Sequence, residues 1–123
     1  MMGGIKSFIE RLRTDVGTRC GCQVQSNEYD SSEYYVLRKL STSGKGNFAY
    51  IRYIKKGKSR PDKCFEIQVR ESYAIKAKVA HLADHHDKNG CHNEKARYWF
   101  VLEGHSQSYN KAVDALSKIC QVR

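Results

Sequence analysis

A chain of 123 residues is the size of one small domain, long enough to bury a core without disulfides or a structural metal. A hydrophobic fraction of 40%, eight tyrosines and a single proline exclude a disordered tail. The net charge of +9 favours acidic partners: nucleic acid, an anionic membrane or an acidic protein surface.

Ile5, Phe8, Ile9, Leu12 and Val16 recur at helical spacing, with Lys6, Glu10, Arg11 and Arg13 on the other face. They predict a first helix that Gly17 ends as a left-handed cap. After it, "CQVQ" is a candidate short edge strand within a stretch of turn formers. "YYVLRKL", "FAYIRYI" and "CFEIQVR" are β-branched and aromatic runs of strand length, separated by "STSGKGN" and "KKGKSRPDK". They predict an antiparallel meander. In the last run, alternation sends Phe65, Ile67 and Val69 to one face and Cys64, Glu66, Gln68 and Arg70 to a polar, solvent-facing one.

Ile75, Val79 and Leu82 predict a second helix, capped by Ser72 and running out at "DKNG". "RYWFVLEG" is apolar at successive positions, as in a strand covered on both faces. Ser106 is placed to cap a last helix with Tyr109, Ala112, Val113, Leu116, Ile119 and Cys120 on one stripe. The order α-β-β-β-α-β-α predicts a single α+β domain over 1–123. Its architecture is two-layered, with a mostly antiparallel sheet of three to five strands and the helices on one face.

Five cysteines, an odd number, do not make the paired framework of a small secreted domain, so reduced thiols in an intracellular, cytoplasmic setting are expected. No run approaches the roughly 20 apolar residues of a membrane span. The charge is concentrated. From Arg38 to Arg70 there are ten basic residues and two acidic ones, a surplus of eight, while the whole chain has a surplus of nine. Side chains two apart on a strand project to one side and can follow a row of phosphates. The expected contacts are Arg38, Lys45, Arg52, Lys55, Lys56, Lys58, Arg60, Lys63 and Arg70, with Tyr34, Tyr35, Tyr50 and Tyr53 among them as candidate stacking platforms.

Two catalytic or metal-binding readings compete. "PDKCFEIQ" has elements of a metal-dependent nuclease core, but Asp62 and Glu66 are too close in sequence to occupy successive strands, and Gln68 stands where a lysine is needed. "HLADHHDKNGCHNE" suggests zinc. His81 and His85, four apart on a helix, would chelate with Cys91 or His92 folding back, and Cys20 and Cys22 would be distal thiolates. That spacing matches no standard zinc pattern, and histidines also suit a solvated helix end without metal. No cofactor is therefore expected. The sequence reads as a nucleic-acid-binding module, for DNA or RNA, gripping the phosphate backbone through residues 38–70. The alternative is an inhibitor or adaptor that sets the same surface against an acidic protein, and a nuclease-like enzyme comes third.

Overall fold

The computed structural model describes residues 2–28, 34–39, 46–57, 61–91 and 94–122. Helix α1 (Met2–Cys20) is followed by strands β1 (Val24–Glu28), β2 (Tyr35–Lys39), β3 (Asn47–Ile54) and β4 (Cys64–Arg70). A short helix α2 (Glu71–Lys76) leads through a single 3-10 turn (Ala80–Leu82) to β5 (His85–Cys91), β6 (Glu94–Leu102) and α3 (Ser106–Val122). The class is α+β, as the alternation of periodicities predicts. The sheet is wider than expected, with six strands in the order β1-β2-β3-β4-β6-β5. All its pairings are antiparallel. The chain leaves β4 through α2, lays β5 on the far edge and returns with β6 beside β4.

Both long helices form where the apolar stripes lie. Phe8, Ile9, Leu12 and Val16 of α1 and Tyr109, Ala112, Val113, Leu116, Ile119 and Cys120 of α3 are buried against Ile51, Phe65, Ile67, Val69, Trp99 and Val101 of the sheet. Phe8 stacks on Phe65, with ring centroids 3.9 Å apart. The Tyr109 hydroxyl donates to the Asp15 carboxylate, and the Arg11 guanidinium lies 3.9 Å from the Tyr109 ring centroid, so α1 and α3 are joined by polar as well as apolar contacts. Burial, reinforced by the Asp15 bond, pushes the Tyr109 phenol far above its usual range.

Several element boundaries differ from expectation. Helix α1 continues through Gly17 to Cys20, and it is Gly21 that takes the left-handed conformation, at φ 70°. Helix α2 stops at Lys76 because Lys78 turns left-handed at φ 62°, so Ile75 is 58% exposed and the expected stripe to Leu82 does not form. No side chain caps α2, and Arg70 rather than Ser72 holds its N-cap position. At α3, Ser106 is the first helical residue, and the ring Nδ1 of His105 accepts the Ser108 amide at 3.0 Å. Strand β5 occupies the "HHDKNGC" segment where the second helix was expected to run out. It is tied down by pairing with β6 and by Glu71, whose carboxylate meets Arg97 at 2.7 Å and His86 at 2.9 Å. The Arg97 hydrogen bond holds the Glu71 carboxyl below its ordinary range.

The core assignment sets a contrast between two isoleucines. Ile67→Ala, inside the helix-facing layer, is expected to cost about 2 to 5 kcal/mol in urea denaturation. Ile75→Ala, on the exposed side of α2, should stay within about 0.5 kcal/mol.

Candidate nucleic-acid interface

The basic segment is built on the β3–β4 hairpin. Its last ladder pair is Ile54 with Cys64, and the Lys63 amide then donates to the Lys55 carbonyl at 3.3 Å. Within the connection the Gly57 amide donates to Asp62 Oδ1 at 2.8 Å, so this carboxylate closes the loop. Lys55, Lys56 and Lys63 are exposed. Lys45, Lys58 and Arg60 lie outside the described residues.

The strand arginines are engaged differently. Arg52 Nε donates to Glu66 Oε1 at 3.0 Å, and its guanidinium is 5.4 Å from the Tyr34 ring centroid. Arg70 Nη1 donates to the Tyr73 hydroxyl at 3.4 Å. Arg38 is half-buried beside a register shift in β2, and the neighbouring Lys39 Nζ donates to the Cys120 carbonyl at 2.9 Å, capping the end of α3. The hairpin lysines therefore face water while Arg52, Arg70 and Lys39 are used in folding. Of the tyrosines expected as stacking platforms, Tyr50 is buried in a small cluster with Val36, Ala96 and Tyr98 on the sheet face away from the helices, flanked by half-buried Tyr34 and Phe100. Tyr35 and Tyr53 pack against the main core.

The polar face of β4 is not solvent-facing. Glu66 is 1% exposed and Gln68 6%, and Cys64 is fully buried. Glu66 pairs with Arg52 on β3 and Phe100 on β6, and Gln68 with Tyr50 and Tyr98, so large side chains flank both from the neighbouring strands. Alternation identified the right face, but polarity was a poor guide to exposure because Arg52 supplies a charge partner across the ladder. A single arginine between Tyr50 and Ile54 on one strand face, with a single glutamate on the next strand, was the available signal. Neither Asp62, which bonds Gly57, nor Glu66, which bonds Arg52, belongs to a group with metal-ligand spacing among the described residues.

The histidines do not share a helix. His81 lies exposed in the 3-10 turn, while His85 lies in β5 opposite Tyr98, its ring centroid 5.4 Å from that tyrosine's. The expected i, i+4 chelate is therefore absent. Cys91 is described in backbone alone, at the end of β5, and His92 lies outside the described residues. Among the described residues, Cys20 and Cys22 gather with Cys120 rather than with a histidine. A cleft of about 470 Å³ between the N-terminal parts of α1 and α3 is lined by Phe8, Arg11, Phe65, Val101, His105 and Tyr109. Its histidine is committed to the α3 cap.

No protein-family model matches this sequence, and neither a curated protein nor a solved structure resembles it significantly.

The Arg52–Glu66 pair is asymmetric, with side-chain exposures of 29% and 1%. Arg52→Met, which takes the guanidinium from a buried carboxylate, is expected to cost about 3 kcal/mol or more. Glu66→Gln keeps the volume and leaves an arginine within reach of water, so it should cost no more than about 1.5 kcal/mol. Chemical denaturation of both variants and of the double substitution checks this, the double being more stable than Arg52→Met alone.

Proposed function

We propose that the protein binds nucleic acid through the phosphate backbone, with the β3–β4 hairpin as its principal grip. The observation that carries this reading is the exposed grouping of Lys55, Lys56 and Lys63 at the closed end of the hairpin. None of the three takes part in an ion pair with a carboxylate among the described residues. The connection from 55 to 63 contains five basic residues and one acidic one, and that acid, Asp62, is bonded to the loop backbone. Ammonium groups in this arrangement displace condensed counterions from a polyanion, which gives affinity with steep salt dependence and little sequence preference. Arg52 and Arg70, expected from the sequence as direct contacts, are assigned to holding the sheet that presents the hairpin.

Mobility shifts with unrelated duplex and single-stranded oligonucleotides test the proposal at low salt. Reversing Lys55 and Lys56 to glutamate is expected to weaken binding by more than about tenfold and to reduce the salt slope by about one per lysine. Reversing Lys6 and Lys76, exposed residues on α1 and α2, changes net charge equally and should have little effect. Equal losses from the two pairs would show that total charge alone matters. Absence of binding to either nucleic acid would instead favour an acidic protein partner.

A further inference from the structure

Two neighbouring cysteines and a third that is remote in sequence meet at one end of the molecule. Cys20 ends α1, Cys22 follows after one glycine, and Cys120 lies in the last turn of α3. The sulfurs of Cys20 and Cys120 are 3.4 Å apart, and all three Sγ atoms lie within 4.8 Å of one another. Cys120 is fully buried, and Cys20 and Cys22 are half-buried. We propose that Cys20, Cys22 and Cys120 form a three-thiolate site for a thiophilic closed-shell cation, zinc(II) or copper(I).

The spacing fits the bond lengths of such a site. A zinc–sulfur bond of about 2.3 Å puts tetrahedral sulfurs about 3.8 Å apart and trigonal ones about 4.0 Å apart. The Cys20–Cys120 separation of 3.4 Å is slightly below both values and no pair is more than 4.8 Å apart, so closing around an ion needs shifts of under about 1 Å. The backbone is shaped to bring the first two sulfurs to the third. The amides of Gly21 and Cys22 both donate to the Gly17 carbonyl, at 3.0 and 3.2 Å, and Gly21 is left-handed at φ 70°. This helix ending turns the chain back, placing Cys22 beside Cys20. A Cβ on Gly17 would come within 3.1 Å of the Cys22 carbonyl oxygen, so that approach also depends on glycine.

Helix ends and a neighbouring ammonium act on the site in opposite senses. Two helix C-termini converge on the sulfurs, and their terminal carbonyls carry partial negative charge. Burial, with the hydrogen bond from Cys20 next in weight, pushes the Cys120 thiol well above its ordinary range, while the Lys39 ammonium opposes this. On binding, each sulfur gives its proton to solvent and forms one bond to the metal. The set of three thiolates suits soft ions and leaves any fourth position for an exogenous ligand.

Zinc(II) and, under anaerobic conditions, copper(I) are titrated separately into the reduced full chain in competition with a chromophoric chelator. One equivalent of at least one ion is expected to bind, with three sulfur neighbours by X-ray absorption. Cys22→Ser, at a half-buried position, should reduce the affinity at least about 100-fold, and Cys120→Ser should do the same provided its circular dichroism remains native. Cys64→Ala, His81→Ala and His85→Ala should leave it unchanged. No binding of either ion, binding that survives Cys22→Ser, or loss on removing a histidine would overturn the assignment.

Discussion

Strand β4 is buried on both faces although helices cover only one, and the structure depends on how the second face is closed. From Cys64 to Val69 every residue of β4 is buried. On the helix side this follows from Phe65, Ile67 and Val69. On the other side the row Tyr50–Gln68–Tyr98 and the row Arg52–Glu66–Phe100 run across three neighbouring strands. A carboxylate removed from water is tolerable only with a charge partner and good hydrogen bonds. Arg52 meets that requirement for Glu66, and with it a prominent part of the basic meander becomes structural. A charge count along the sequence treats Arg52 and Lys55 as equivalent, but the fold does not.

The helices α1 and α3 were legible in the sequence because their apolar residues repeat at helical spacing, and the strands β2, β3, β4 and β6 because they are β-branched and aromatic runs of strand length. Strand β5 was not, since "HHDKNGC" carries turn formers and little β-branched character and becomes a strand only by adding to the edge of β6. The second helix was overestimated for a related reason. Ile75, Val79 and Leu82 fit the helical period, but only Val79 reaches the core, after a left-handed turn at Lys78 that no sequence pattern announces. The concentration of charge around residues 55 to 63 was visible at once, whereas the division of labour between loop lysines and strand arginines required the register. The thiol cluster joins positions a hundred residues apart and could not be read from spacing.

The two functional assignments occupy opposite ends of the sheet. Lys39, which contacts the last turn of α3 beside the thiols, ends β2 next to the start of β3, and the lysine hairpin begins where β3 ends. Eight residues of strand separate these ends by about 25 Å. That distance is several times the Debye length of roughly 8 Å at physiological salt, beyond which exposed charges interact little. The hairpin and the thiols can therefore be altered independently, and a metal ion at the thiols would act on the hairpin only through the packing of α1 and α3 on the sheet.

Native-state amide hydrogen exchange tests the two-sided burial of β4 most directly, because protection reports how far each strand must open before its amides meet water. The amides of Glu66, Ile67 and Gln68 in β4 and those of Trp99 and Val101 in β6 should be the slowest to exchange, approaching the global unfolding limit. Those of the edge strand β1 should exchange orders of magnitude faster. If Glu66 and Gln68 exchanged as rapidly as β1, the face away from the helices would be open to water, and the structural role given to the Arg52–Glu66 pair would be contradicted.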